Sequence, residues 1–175
     1  MFKGDFKFVK ENQRKKALFL DRDGVINKKL EGRYVTNFDE FVFVKNSDIA
    51  IRKLHKIFKR ILIVTNQQGI GKGIMTEDDL NLLHMQMQRK LNVDFDLIDR
   101  IYFCPCLEGD SCNCRKPKTG MLENAKSDFP EIVIENSFLV GDSDSDIIAG
   151  ESFGLKTIKV STEFTLFDWL TKITG

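Results

Sequence analysis

A doubly wound α/β domain built on a parallel sheet is the fold this sequence predicts. Two observations carry that expectation. Short apolar runs, the mark of strands buried on both faces, recur at residues 17–20, 60–64, 101–103, 137–141 and 156–160. Stretches with helical periodicity separate them, and such alternation calls for crossover helices on both faces of the sheet.

Residues 1–16 are lysine-rich and are read as an N-terminal extension, with 17–175 as a single domain. Residues 17–20 form the first central strand, and 41–44 a short accessory strand. A helix is predicted over 47–59, with Ala50, Leu54, Ile57 and Phe58 on one face. The second strand ends at Thr65 and Asn66. Thr76, followed by Glu77, Asp78 and Asp79, signals a capped helix start, and Leu80, Leu83, Met87 and Leu91 supply its apolar stripe. The third strand runs into a loop holding every cysteine of the chain. A helix over 120–129 presents Leu122, Ala125 and Phe129. The fourth strand is closed by Asp142, a helix spans 145–153, and the fifth strand follows. Phe167 and Trp169 anchor a C-terminal segment on the body.

At 175 residues the chain has room for one domain with a sizeable core. Hydrophobic content of 42% and charged content of 30% place it among soluble globular proteins. A net charge of +1 gives no basic field for nucleic acid. No apolar stretch approaches a membrane span, and the first residues lack a signal-peptide core, so a cytoplasmic location is expected. All four cysteines fall between residues 104 and 114. In a reducing compartment that clustering points to metal rather than to a disulfide framework.

The chemistry is concentrated at strand ends. Asp21-Arg22-Asp23-Gly24 follows the first strand, and Asp142 follows the fourth. Parallel strands point one way, so these acids gather with Thr65 and Lys116 at one edge of the sheet, where open α/β sheets bind ligands. A solvated Asp-rich turn is the bland reading of the first motif alone. Two acids, a third acid, a hydroxyl and a cation at one edge favour a phosphate site instead. Closely spaced carboxylates need a cation to persist, which suits Mg²⁺-assisted phosphoryl transfer.

Asp21-Arg22-Asp23-Gly24-Val25-Ile26-Asn27, Thr65-Asn66-Gln67, Arg115-Lys116-Pro117 and Gly141-Asp142-Ser143-Asp144-Ser145-Asp146 resemble the four motifs of the haloacid dehalogenase-like phosphatases. Within them the chain is similar to the branch that holds the heptose bisphosphate and histidinol phosphate phosphatases. The resemblance covers residues 17–160 and implies the Rossmann-like, haloacid dehalogenase type of fold. It also implies that Asp21 is the nucleophile and Asp23 the general acid and base. Asp21, Asp142 and the backbone carbonyl of Asp23 would hold Mg²⁺. Lys116, Thr65 and backbone N–H groups near Asn66 would stabilise the transferring group. Arg22, Asn27, Asn66, Gln67 and Arg115 are placed on the substrate side. Asp146 either orients Lys116, sits behind the metal or caps the following helix, and Asp144 is left as a surface acid.

Cys104-Pro105-Cys106 and Cys112-Asn113-Cys114 supply four sulfurs for a tetrahedral structural zinc. In the related branch the loop usually reads Cys-x-His and then Cys-x-Cys, so Cys106 stands where histidine is usual. A closed zinc site would staple the loop and position Arg115 and Lys116 behind it. Gly69-Ile70-Gly71-Lys72-Gly73 lacks the spacing of a nucleotide-binding loop and is read as a flexible loop beside the site, with Lys72 near substrate. His55 and His84 are expected as ordinary surface or boundary residues.

Between Asp21 and Thr65 there is no room for a large cap domain, so the site is open. The expected partner is a small phosphorylated substrate, a sugar bisphosphate first and histidinol phosphate second, taken by a monomer. A phospho-acceptor signalling domain is the rival from another class. It would have no use for Asp23 as a proton donor.

Overall fold

The computed structural model describes residues 16–92 and 96–175. Residues 1–15 of the expected extension lie outside the described residues. Lys16 is buried, and its carbonyl accepts a hydrogen bond from the Lys59 amide at 2.9 Å.

Five parallel strands form one sheet: β1 (Ala17–Leu20), β2 (Arg60–Asn66), β3 (Arg100–Cys104), β4 (Phe138–Gly141) and β5 (Lys156–Lys159), in the order β3-β2-β1-β4-β5. Side chains alternate across a strand, and the apolar runs of β1 and β2 therefore fill two cores. Leu18, Leu20, Ile61 and Ile63 face one layer. It is covered by α1 (Ser47–Leu54), α3 (Glu77–Leu91) and α6 (Leu166–Thr174) through residues such as Ile51, Leu83, Met87 and Trp169. Ala17, Phe19, Leu62 and Val64 face the other, covered by Met121, Leu122 and Ala125 of α4 (Gly120–Asp128) and Ala149 of α5 (Asp144–Phe153). The doubly wound expectation holds.

The chain passes from β1 outward to β2 and β3, then returns to lay β4 and β5 on the other side of β1. That reversal opens a crevice beyond the C-terminal ends of β1 and β4. The Asp21 amide donates to the Val140 carbonyl at 2.9 Å, which pins the first acid to the neighbouring strand. Among the described residues, the stretch between β1 and β2 contains only a 3-10 turn (Phe38–Glu40) and α1, and no cap domain.

Several elements depart from the sequence reading. The accessory strand at 41–44 is absent, and Phe43 makes only an isolated antiparallel bridge to Asn27. The helix expected over 47–59 ends at Leu54. Turns after it swing Phe58 onto the rings of Phe138 and Trp169, and this packing produces the apolar spacing that mimicked a longer helix. The supposed flexible loop at 69–73 begins as a one-turn helix, α2 (Gln68–Gly71). The C-terminal anchor is a helix, opened by a capping box between Thr165 and Asp168. The Thr165-x-x-Asp168 signal was present in the sequence.

Candidate active site

Asp21 emerges from β1 almost fully buried, and its Oδ1 accepts from Lys116 Nζ at 2.8 Å. The ammonium also donates to the Val64 carbonyl at 2.7 Å and lies 2.5 Å from Asp146 Oδ1. That last contact is an ion pair without hydrogen-bond alignment, for Asp146 Oδ1 has no hydrogen-bond partner of its own. Burial drives the Asp21 pKa up to about 7; Lys116 opposes this, and Asp146 and Asp23 add to it. Burial pulls Lys116 down, but Asp21 and Asp146 outweigh it and hold the lysine above its ordinary value.

Asp21, Asp142 and Asp146 each bring a carboxylate oxygen into a group spanning no more than 4.8 Å. Two cations answer these three anions: buried Lys116, and Lys29, which reaches Asp142 Oδ2 at 3.0 Å from a mostly exposed position. Hard oxygens with charge left over are the donor set a small divalent cation requires. Gly24, at φ +88°, allows this crowding. A Cβ there would collide with the Asp142 carboxylate.

Asp23 is held by three side chains. Arg22 Nη2 donates to both its oxygens at 3.0 and 2.9 Å, Asn27 Nδ2 to Oδ1 at 2.9 Å and Gln67 Nε2 to Oδ2 at 2.9 Å. Burial works to raise its pKa, but these donors prevail and keep it below the ordinary carboxylate value. This corrects the placement of Arg22, Asn27 and Gln67 on the substrate side. Arg22 and Asn27 have no exposed surface and Gln67 almost none. They sit behind Asp23, where a buried carboxylate needs its donors.

Thr65 is also enclosed, and its Oγ1 accepts from Gln67 Nε2 at 2.9 Å, which leaves its own proton free to donate. Asn66 lines the cavity and clamps the Lys116 backbone, donating to its carbonyl at 3.1 Å and accepting from its amide at 3.0 Å. Asp146 unites two of the roles weighed for it. One oxygen faces Lys116, and the other accepts from the Ser143 amide and hydroxyl to cap α5. Asp144 is a surface acid paired with Lys159.

The cavity in front of these groups has a volume of about 230 Å³, and Lys29, Arg33, Tyr34 and Arg115 also line it. Lys29, Arg33 and Tyr34 were not anticipated, because nothing in their spacing marks them. Lys72 does not line the cavity; it donates to the Tyr34 hydroxyl at 2.9 Å. His84, expected at a surface or boundary, is buried against Arg22.

The four cysteine sulfurs converge within 4.8 Å of one another. Cys104 and Cys112 are 3.8 Å apart and Cys106 and Cys114 3.7 Å. Cys104 and Cys114 are drawn into a sulfur–sulfur bond, leaving Cys106 and Cys112 as thiols. Arg115 Nη1 donates to the Cys106 carbonyl at 3.3 Å, joining this loop to the cavity wall.

Known proteins resemble this chain in sequence and fold. A HAD-hydrolase-like family model matches residues 113–174. The D-glycero-alpha-D-manno-heptose-1,7-bisphosphate 7-phosphatase of Mycobacterium tuberculosis is 40% identical over 131 residues, covering 75% of this chain and 69% of that protein. The corresponding beta-anomer enzyme of Haemophilus ducreyi is 38% identical over 150 residues, covering 82% and 81%. Among solved structures, the D,D-heptose 1,7-bisphosphate phosphatase of B. bronchiseptica, complexed with magnesium and phosphate, superposes with a TM-score of 0.78 at 29% identity. That match covers 91% of this chain and 87% of that one. The chain belongs to the haloacid dehalogenase-like phosphatases, in the family of the heptose bisphosphate phosphatases.

Proposed function

We propose that this chain hydrolyses the C7 phosphate of D-glycero-D-manno-heptose 1,7-bisphosphate through an aspartyl-phosphate on Asp21, with Mg²⁺ as cofactor. The observation that carries the reading is the buried Asp21 carboxylate at the β1–β4 crevice, with Lys116 on one oxygen and Asp142 beside it. The reading also follows from the relatives named above, which act on this sugar bisphosphate. They divide between the two anomers at nearly equal identity, so similarity does not choose the anomer.

The transfer takes two steps. A carboxylate oxygen of Asp21 attacks phosphorus in line, the bond from phosphorus to the sugar oxygen breaks, and the departing alkoxide takes a proton from Asp23. Asp23 then removes a proton from the water that attacks the phosphorus of the aspartyl-phosphate, releasing phosphate and restoring Asp21. Each oxygen of Asp23 already accepts two donors, which suits its basic form. An arriving phosphate dianion raises the pKa of a neighbouring carboxylate, so substrate itself favours the proton-bearing form needed first. Lys116 lines the cavity and would meet the developing charge; Thr65, enclosed behind the cavity wall, would add its hydroxyl. Asp21 and Asp142, with the Asp23 carbonyl, would hold magnesium, which when bound supplies positive charge against the transferring group.

Arg115 and Arg33 on the cavity wall are suited to a second phosphate, which histidinol phosphate lacks. All these residues come from one chain, so a monomer suffices. The cysteine cluster is read as a structural zinc site. A tetrahedron with 2.3 Å metal–sulfur bonds has edges of about 3.8 Å, close to two of the observed sulfur separations. A Cys104–Cys114 bond alone gives no reason for Cys106 and Cys112 to crowd against it. Among the described residues no helix is long and apolar enough to cross a membrane. The clustered cysteines suit a reducing, cytoplasmic setting.

The test is phosphate release from heptose bisphosphate anomers and histidinol phosphate with magnesium, using Asp21→Asn as control. Undiminished turnover by that variant removes the nucleophile. Preference for histidinol phosphate removes the sugar assignment.

A further inference from the structure

Arg22 lies between the two catalytic acids in sequence, yet its guanidinium is turned inward and has no exposed surface. Nη2 donates to both oxygens of Asp23, and Nη1 lies 3.2 Å from His84 Nε2 on α3. Nε has no hydrogen-bond partner. Two contacts therefore aim a buried cation with several donors to satisfy, one toward Asp23 and one toward His84. Neither Arg22 nor His84 lines the cavity, and both sit behind Asp23.

We infer that His84 is a positioning residue for the proton-transfer step: its Nε2 accepts from Arg22 and holds the guanidinium against Asp23. The inference rests on the phosphatase reading above. The donor must be Arg22, since a guanidinium has no acceptor, and His84 must then carry its proton on Nδ1. The environment enforces this state. Burial and the Arg22 charge push the imidazole down to about 3, so it stays an acceptor across the working range. Without it, Nη1 would lose its partner as Nε already lacks one, and the guanidinium would be free to rotate toward any other acceptor or water. Asp23 would lose the one partner that binds both its oxygens, leaving Asn27 and Gln67 with one each. Its carboxyl would take a proton more readily, so any loss in proton donation reports lost orientation and not lost acidity.

Proton donation matters in proportion to the basicity of the leaving group. A sugar alkoxide needs it, whereas p-nitrophenolate departs without it. kcat/KM reports the steps up to phosphoenzyme formation, before Asp23 acts as a base. The experiment measures kcat/KM of wild type, His84→Leu, His84→Gln and Asp23→Asn on heptose bisphosphate and on p-nitrophenyl phosphate, with thermal unfolding as a check on folding. His84→Leu removes the acceptor at similar volume. It is expected to lose at least about tenfold on the sugar phosphate, a fraction of the roughly 10²–10⁴ that a general acid supplies, and less than about threefold on the aryl ester. His84→Gln, which offers a carbonyl acceptor, is expected to recover most of the loss. Asp23→Asn is expected to show the same selectivity more strongly. Parallel losses on both substrates in His84→Leu, or no loss on either, overturn the inference. So does a crystal structure of His84→Leu in which Arg22 keeps both contacts to Asp23, a measurement that needs no turnover. Failure of wild type on every phosphomonoester would instead remove the phosphatase reading.

Discussion

Lys116 Nζ lies 2.5 Å from Asp146 Oδ1, and this pair fixes the cation that serves Asp21. With Asp21 as its only anion, the ammonium would be held by the nucleophile and the Val64 carbonyl alone. Asp146 divides its attention and, through the Ser143 cap, ties it to the start of α5.

Asp146→Asn keeps an acceptor for the cap but turns an anion into a neutral amide beside a buried ammonium. Breaking a buried pair costs about 3–5 kcal/mol, and the low end is expected because Asp21 remains. Turnover should fall by about tenfold or more, toward the 10²–10³ typical of losing a charge-stabilising donor altogether. Urea unfolding and kcat at saturating magnesium test this. Unchanged kcat with reduced stability would leave the Lys116–Asp146 pair a structural contact only.

Gly24 and Asp142 are joined just as closely. At φ +88° a side chain is strained, and its Cβ would strike the Asp142 carboxylate. Gly24→Ala should therefore displace one of the acids gathered for the divalent cation. The expected result is a clear weakening of magnesium affinity by calorimetry, with some loss of stability. An unaltered affinity would show that Asp142 need not sit where it does.

How much of this was readable beforehand depends on the kind of signal. β1, β2 and β4 were legible because buried parallel strands write continuous apolar runs, and Asp21 and Asp142 were legible because they stand directly at strand ends. Asp146 and Lys116 could be brought together only as one option among several. Their contact depends on α5 packing beside the loop that follows the cysteines. Arg22, Asn27 and Gln67 were misplaced for a related reason. A motif shows that residues are near the site but not which way they face, and here they face inward to satisfy Asp23. His84 left no signal, since a histidine beside an apolar stripe looks the same whether it meets solvent or a buried arginine.

His84 should also shape acid stability. Its folded pKa of about 3 lies below the ordinary 6.5, so the unfolded chain binds a proton that the native state refuses. The stability contribution is complete above about pH 6.5 and is lost as pH falls toward 3, with a slope of up to about 1.4 kcal/mol per pH unit. His84→Gln has nothing to titrate there. Urea midpoints at pH 7, 6, 5 and 4 should fall less steeply in the variant. Identical pH profiles would mean that the imidazole is open to water.

The cysteine loop offers the last test. With 2.3 Å bonds to zinc, four thiolates would form a closed site without room for substrate, and binding can contribute roughly 10 kcal/mol to folding of such a unit. Arg115 bonds to the Cys106 carbonyl and Lys116 follows it directly, so loss of the ion should be felt at the cavity wall rather than in the sheet. Protein purified under reducing conditions is expected to hold about one zinc per chain. Cys112→Ser should lower that occupancy and raise KM for the bisphosphate more than it lowers the unfolding midpoint of the body. A zinc-free protein with only two titratable thiols would instead establish the Cys104–Cys114 bond as the loop's staple, since that bond and a four-thiolate site exclude each other.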